Sequence, residues 1–150
     1  MATWRAPVYM NGKKILVIDD QRSQLRLIKK LLTKLGHTAV TVDSAEEADL
    51  ILRWEQDFSL IITDLKMPWL DGLQFCKDVK NLHPNLKIYA LSGFIGGYDP
   101  DELKAAGFDG VYEKPIRKSL LEEILDAFQA DTLDDSRTGH TKGDEQSTAP

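Results

Sequence analysis

The sequence predicts an α/β protein whose five-stranded parallel sheet is covered by helices on both faces. Short apolar, β-prone runs alternate strictly with segments of helical periodicity between about residues 14 and 130. Several of these runs are apolar without interruption, as expected of strands buried on both faces of a parallel sheet. The length of 150 residues suits one domain with tails better than two domains.

The first strand, the first helix and the second strand follow in order. Residues 15–18 are an uninterrupted apolar run and form the first strand. The helix after it ends at Gly36, and its apolar positions at helical spacing are Leu25, Ile28, Leu32 and Leu35. Residues 38–42 alternate polar and apolar side chains, which favours a strand at the edge of the sheet.

The middle of the chain continues the alternation. Ser44 and Glu47 form a capping box that opens the second helix. Residues 58–63 read as a buried strand that ends at Asp64. After a loop with proline and glycine, the pattern predicts a third helix over about residues 72–81.

The last elements carry clear boundary signals. Residues 88–91 form the fourth strand. Asp99 followed by Pro100 is a typical helix start, and Gly107 is the matching stop. Residues 111–112 are a short fifth strand, and a final amphipathic helix is marked by Leu120, Leu121, Ile124, Leu125 and Phe128.

The strand order can be inferred from which strands are weak. The second and fifth runs are the least apolar or the shortest, so we expect them at the edges. The doubly wound order 2-1-3-4-5 places them there and puts strands one and three side by side. Ligands of such sheets bind beyond the carboxyl ends of the strands.

Composition limits the possible partners and location. The net charge is −5 and the sequence shows no basic face, which argues against nucleic acid as a partner. The chain has one cysteine, Cys76, so it can form no internal disulfide. There is no apolar run of about 20 residues and no signal peptide at the amino terminus. We therefore expect a cytoplasmic protein that does not associate with a membrane.

The two ends differ from the middle in pattern. Residues 1–13 show no periodicity and are expected to be a flexible arm. Residues 131–150 are polar, with Leu133 the only large apolar side chain, so they are expected to be a disordered tail. The predicted domain is residues 14–130.

Three carboxylates follow neighbouring strands of the predicted sheet. Asp19 and Asp20 come after the first strand, and Asp64 comes at the end of the third. Carboxylates that converge repel one another unless a cation is bound, and Mg2+ suits a site of few carboxylates, a carbonyl and a phosphate oxygen. Taken singly, the acid pair also fits a helix cap and Asp64 also fits a turn.

A hydroxyl and an ammonium group follow the fourth and fifth strands. Ser92 ends the fourth strand, and Lys114 follows the fifth and precedes Pro115. Both groups suit a transferred phosphoryl group that needs charge neutralisation. Each also has an ordinary alternative, Ser92 as a turn hydroxyl and Lys114 as a solvated lysine.

Taken together, these segments resemble the response-regulator receiver domains of two-component signalling, which include chemotaxis regulators. The matching segments are ILVIDD at 15–20, IITDLKMPWLDGLQF at 61–75, ALSG at 90–93 and EKPI at 113–116. The resemblance covers about residues 14–130. It implies a flavodoxin-like three-layer sandwich.

The resemblance also implies a role for each site residue. Asp64 would be the phosphoacceptor. Asp20 and Asp64 would bind Mg2+ directly, with the backbone carbonyl of Lys66, and Asp19 would act through a bound water. Ser92 would be the switch hydroxyl, and Lys114 would contact the phosphoryl group from a position before a cis proline.

The implied function is a signalling switch rather than a metabolic enzyme. A histidine kinase or histidine phosphotransfer protein would donate the phosphoryl group, the acyl phosphate would later hydrolyse, and a downstream protein would read the phosphorylated state. The chain would be a monomer or a weak phosphorylation-dependent dimer. Alternatives are a receiver fragment of a hybrid histidine kinase or larger regulator, or a receiver-like module that binds partners without phosphorylation.

Two positions are open to more than one interpretation. Receiver domains usually have an aromatic residue three positions before the lysine, and here that position is Val111. Tyr112 should point to the other face of the sheet, so it is either a packing residue or part of a different output route. Trp69 beside the site is either a partly covered loop residue or a functional one, as a contact for the kinase or a reporter of phosphorylation.

Overall fold

A parallel sheet of five strands forms the centre of the protein. The computed structural model describes residues 12–67 and 70–148. Within these ranges the strands, from one edge to the other, are β2 (Thr38–Val42), β1 (Lys14–Ile18), β3 (Leu60–Asp64), β4 (Lys87–Ser92) and β5 (Gly110–Glu113). All neighbouring pairs are parallel. The predicted order 2-1-3-4-5 is confirmed.

The helices connect successive strands. In the described ranges they are α1 (Arg22–Lys34), α2 (Ala45–Trp54), α3 (Gly72–Leu82), α4 (Pro100–Ala106) and α5 (Lys118–Thr148). A short 3-10 helix, Ile95–Gly97, precedes α4. The loop after β3 contains a two-residue antiparallel ladder between Lys66–Met67 and Leu70–Asp71.

Two apolar cores lie on opposite faces of the sheet. Helices α2, α3 and α4 cover one face, where the buried side chains include Leu16, Ile18, Leu52, Ile61, Val79 and Ile88. Helices α1 and α5 cover the other face, where they include Ile15, Val17, Ile28, Leu32, Ile62 and Leu121. Alternate residues of each strand point to opposite faces, so each apolar strand contributes to both cores. Each such side chain stabilises the fold by about 1.5–3 kcal/mol when fully buried.

The predicted helix boundaries are present. The Ser44 hydroxyl accepts a hydrogen bond from the backbone N–H of Glu47 at 3.1 Å. The Asp99 carboxylate accepts one from the backbone N–H of Asp101 at the start of α4. Gly36 and Gly107, the predicted stops, have φ values of 92° and 107°. These values lie in the left-handed region that favours glycine.

The last helix extends beyond residue 130, the predicted end of the domain. A disordered tail was expected from residue 131, but α5 continues through Thr148. Asp131 accepts a hydrogen bond from the Tyr89 hydroxyl at 2.7 Å, and the Thr132 hydroxyl donates to the carbonyl of Phe128. The first glycine or proline beyond residue 130 is Gly139, so no strong stop signal falls at the predicted boundary.

At the other end, the described residues begin within the predicted arm. Residues 1–11 of the predicted arm lie outside the described residues. Lys13, which was assigned to the arm, is joined to the fold through its backbone. Its N–H donates to Nδ1 of His37 at 2.9 Å, and its carbonyl accepts from the N–H of Thr38 at 2.8 Å. Across the part of the chain that the structure describes, no helix has both the length and the apolar character needed to cross a membrane.

Candidate functional site

Three carboxylates meet at the carboxyl edge of the sheet. Asp19 and Asp20 follow β1, and Asp64 ends β3, the strand beside β1. One carboxylate oxygen from each residue lies within 4.8 Å of the other two. Asp19 and Asp64 are buried, with 1% and 8% exposure, and Asp20 is half-buried. Because these oxygens converge, the three residues could together hold one metal ion.

Asp19 is fixed through both of its carboxylate oxygens. Oδ1 accepts a hydrogen bond from the backbone N–H of Gln21 at 2.9 Å. Oδ2 accepts one from the ammonium group of Lys114 at 3.1 Å. Asp19 therefore has less freedom to turn toward an ion than its place in the cluster alone would indicate.

Lys114 extends from the end of β5 into the acidic cluster. Its backbone N–H donates to the carbonyl of Ser92 at 2.8 Å, which joins the ends of β4 and β5. Its Nζ lies 3.1 Å from Asp19 Oδ2, 3.6 Å from Asp64 Oδ1 and 2.5 Å from Gln24 Oε1. The peptide bond from Lys114 to Pro115 is cis, as the resemblance implied.

The charged form of the Asp64 carboxylate is destabilised by its surroundings when no cation is bound. Burial is the main reason that its pKa is raised, and the charges of Asp19 and Asp20 raise it further. The Lys114 ammonium and a hydrogen bond from the backbone of Lys66 lower it, but they do not cancel the increase. The three carboxylates face one ammonium group, so the site has an excess of negative charge that a divalent cation would offset.

Ser92 is buried at the end of β4, beside the cluster. Its hydroxyl oxygen accepts a hydrogen bond from the backbone N–H of Phe94 at 3.1 Å. This contact ties the side chain to the start of the loop that leads to α4. The Phe94 ring is itself 69% exposed. The Ser92 hydroxyl can rotate to donate its own proton to a nearby oxygen.

The loop after Asp64 depends on one glycine. A Cβ atom on Gly72 would lie 2.6 Å from the carbonyl oxygen of Leu65, a distance that real side chains do not reach. Any larger residue at the start of α3 would therefore displace the backbone beside Asp64. Lys66 is exposed and pairs with Asp71 in the short ladder. Trp69, one of the positions left open by the sequence, lies outside the described residues.

Val111 and Tyr112 point to opposite faces of the sheet, as alternation predicted. Val111 packs against the core formed with α2, α3 and α4. Tyr112 packs against the other core, with its ring centroid 6.4 Å from that of Tyr89. Tyr112 is thus a packing residue on the face opposite to the position that is usually aromatic.

Sequence reasoning missed two residues near the cluster. Gln24 lies in the first turn of α1 and contacts Lys114. Tyr98 follows the 3-10 helix, and burial and then the carboxylates of Asp64 and Asp71 raise the pKa of its hydroxyl. Gln24 could have been found, because a helix that starts at the carboxyl edge of the sheet presents its first turn to that edge. Tyr98 has no such signal, since its loop has no regular pattern.

Comparison with known proteins gives a consistent result. The family description "Response regulator receiver domain" matches residues 15–126. The response regulator receiver protein CpdR of Brucella abortus is 34% identical over 114 residues, which are 75% of this chain and 93% of that protein. The transcriptional regulatory protein GlrR of Escherichia coli is 31% identical over 115 residues. Those are 75% of this chain, but the chain spans only 25% of the length of GlrR.

A solved structure shares both the fold and part of the sequence. Response regulator protein TrrA from Thermotoga maritima, in complex with Mg2+–BeF, matches with a TM-score of 0.70 and 27% identity. The match covers 77% of this chain and 98% of that one. Fold, acidic cluster and family match agree. The chain therefore belongs to the family of response regulator receiver domains, the phosphorylatable switches of two-component signalling.

Proposed function

We propose that Asp64 is the phosphoacceptor of this receiver domain and that Mg2+ binds beside it. The observation that carries the proposal is the meeting of three carboxylates and one ammonium group at the carboxyl edge of the sheet. Asp20, Asp64 and the backbone carbonyl of Lys66 would hold the ion, and Asp19 would act through a bound water. The raised pKa of Asp64 supports this assignment, because burial, and then the charges of Asp19 and Asp20, disfavour its carboxylate form.

The chain's own residues would position and stabilise the transferred group. A carboxylate oxygen of Asp64 attacks the phosphorus atom of a phosphohistidine, the new O–P bond forms, and the N–P bond to the imidazole breaks. Lys114 and Ser92 would donate hydrogen bonds to the phosphoryl oxygens. Mg2+, when bound, neutralises negative charge on the carboxylates and on the phosphoryl group.

The phosphorylated state would be read through the loop that begins at Ser92. In the unphosphorylated structure the Ser92 hydroxyl accepts a hydrogen bond from the backbone N–H of Phe94. If the Ser92 side chain rotates about its Cα–Cβ bond and carries the hydroxyl to the phosphoryl group, the contact with Phe94 is lost and the start of the loop is released. Loss of a local contact is a general way in which a covalent modification changes the conformation of a surface loop that a partner reads. Hydrolysis of the acyl phosphate would restore the first state.

The partners we propose are a histidine kinase or histidine phosphotransfer protein and a downstream protein target. The match covers 93% of the length of CpdR, as expected if the receiver acts as a separate protein. The match over 25% of GlrR is what a receiver joined to other domains would give. A receiver-like module that binds partners without phosphorylation is a further alternative, and the experiment below separates it from the switch.

The test is phosphorylation by acetyl phosphate, with and without Mg2+, followed by intact-protein mass spectrometry and a phosphate-retarding gel. We expect one phosphoryl group on the wild type in the presence of Mg2+, and none on Asp64→Asn. Asp57→Asn is a matched control, because Asp57 is an exposed aspartate paired with Lys14. It should be phosphorylated like the wild type.

The result that would contradict the proposal is equally specific. Phosphorylation that survives in Asp64→Asn would assign the acceptor to another residue. A folded wild type that takes up no phosphoryl group, from acetyl phosphate or from a phosphorylated histidine phosphotransfer protein, would favour the binding module. Phosphorylation that is independent of Mg2+ would refute the metal assignment alone.

A further inference from the structure

Gln24 and Lys114 form a contact that the receiver chemistry above does not use. Gln24 lies in the first turn of α1, and Lys114 follows β5, 90 residues later in the chain. The amide oxygen Oε1 of Gln24 lies 2.5 Å from Nζ of Lys114, and the pair is partly buried. The backbone of Gln24 is itself held, because its N–H donates to the carbonyl of Gln21 at 3.0 Å.

The ammonium group of Lys114 has three hydrogen-bond donors. Gln24 Oε1 and Asp19 Oδ2 take two of them, at 2.5 and 3.1 Å. Asp64 Oδ1 lies 3.6 Å from Nζ, which is beyond the usual length of such a bond. The ammonium group is therefore fixed by two acceptors, and the side on which Asp64 lies has no short contact to it.

We propose that Gln24 is a positioning residue that holds the Lys114 ammonium group with one donor free for the phosphoryl group on Asp64. The proposal rests on the proposed function of Asp64. A lysine side chain is a flexible four-carbon stem, so a second fixed acceptor limits where its charge can be. Positioning of this kind lowers the barrier, because the charge needs no rearrangement when the phosphoryl group arrives.

The amide of Gln24 is suited to this role because it is neutral. A carboxylate in its place would form an ion pair with Lys114 and would compete with the phosphoryl oxygens for the ammonium group. An apolar side chain in its place would leave the ammonium group held by Asp19 alone. The carboxylate would hold the ammonium group more tightly than the amide does, and the apolar side chain would not hold it at all. Both replacements should slow phosphorylation.

The main experiment compares phosphorylation rates at saturating Mg2+ with acetyl phosphate as donor. Variants Gln24→Met, which keeps the length, and Gln24→Ala should be slower than the wild type by about tenfold. Their Mg2+ affinity should be unchanged, because in the described structure no hydrogen bond joins the Gln24 side chain to a carboxylate of the cluster. Gln74→Ala is the matched control, since Gln74 is an exposed glutamine of α3 whose amide contacts Asp78.

Two further readouts separate positioning from a general structural effect. In a Lys114→Ala background, Gln24→Met should cause no additional loss of rate, because the group that it positions is absent. The ammonium correlation of Lys114 in 1H–15N spectra, assigned by its absence in Lys114→Ala, should weaken in Gln24→Met without Mg2+ or donor. This second readout reports the contact independently of phosphorylation.

The outcomes are distinguishable. A wild-type rate in Gln24→Met, an additive loss in the Lys114→Ala background, or an unchanged ammonium signal would each overturn the role of Gln24. In all three cases the wild type is still phosphorylated on Asp64. A wild type that cannot be phosphorylated at all would overturn the proposed function, and this inference with it.

Discussion

At the scale of single residues, His37 shows how a local contact selects a protonation state. Its Nδ1 accepts a hydrogen bond from the backbone N–H of Lys13 at 2.9 Å, which requires this nitrogen to be unprotonated. Burial, and then the charge of Lys13, lower the pKa of His37 below the ordinary value of 6.5. Folding therefore favours the neutral imidazole, while the unfolded chain takes up a proton near pH 6.5.

This contact predicts a pH-dependent loss of stability. The contribution of His37 is fully present above pH 6.5 and is lost as the pH falls toward the lowered pKa of the folded state. In His37→Asn, whose amide oxygen can accept the same hydrogen bond, the free energy of unfolding should fall less between pH 7.5 and 5.5. Urea unfolding at both pH values measures this difference. Equal losses in the variant and the wild type would refute the prediction.

At the scale of secondary structure, α5 is attached to the sheet by a polar contact as well as by its apolar face. Tyr89 is fully buried in β4, and its hydroxyl donates to Asp131, 42 residues later in the chain. A Cβ atom on the neighbouring Gly110 would lie 3.0 Å from the Tyr89 ring and 2.9 Å from the ring of Tyr112. The close packing leaves the Tyr89 ring little room to turn away, so its hydroxyl is directed at α5.

We expect Tyr89→Phe to lower the free energy of unfolding by about 1 kcal/mol, the usual contribution of a partly buried hydrogen bond. Ending the chain after residue 130 should cost a similar amount, because it removes Asp131. The two changes together should cost little more than either alone, since they remove the same bond. Tyr112→Phe controls for the loss of a neighbouring phenol hydroxyl. Fully additive losses would show that the hydrogen bond contributes nothing to stability.

At the scale of the whole molecule, the fold brings three carboxylates to one edge of the sheet. The strand order brings Asp19, Asp20 and Asp64 together from two segments of the chain, although their charges repel one another. A cation that binds only the folded state lowers this cost and stabilises the protein by mass action. The same convergence thus links metal binding to the stability of the entire domain.

Mg2+ should therefore raise the unfolding midpoint of the wild type. The expected gain is about 2.7 kcal/mol when the free ion is at 100 times its dissociation constant. The gain should be much smaller in Asp20→Asn, which removes one proposed ligand, and unchanged in Asp57→Asn. Urea unfolding with Mg2+, compared with NaCl at equal ionic strength, measures it. An equal effect of both salts would indicate general screening rather than a bound ion.

Most of the fold could be predicted from the sequence because its signals are local. Apolar periodicity distinguishes strand from helix within a few residues. The hydroxyl of Ser44, the carboxylate of Asp99 and the glycine at position 107 act on backbone groups beside them. The sheet order could also be predicted from the sequence, since the doubly wound order 2-1-3-4-5 places the two weak strands at the edges. That α5 continues past residue 130 could not be predicted in this way, because the contact of Asp131 with Tyr89 joins two distant segments.

The sequence by itself determined which chemical groups stand at the carboxyl ends of the strands. Tertiary structure alone decided how those groups are arranged. The contacts of Lys114 with Asp19 and Gln24 span 95 and 90 residues, so no local pattern encodes them. The direction of the pKa shift at Asp64 likewise depends on how deeply the sheet buries it and on which charges surround it. Local interactions select the elements, whereas distances between charges exist only after the elements have packed.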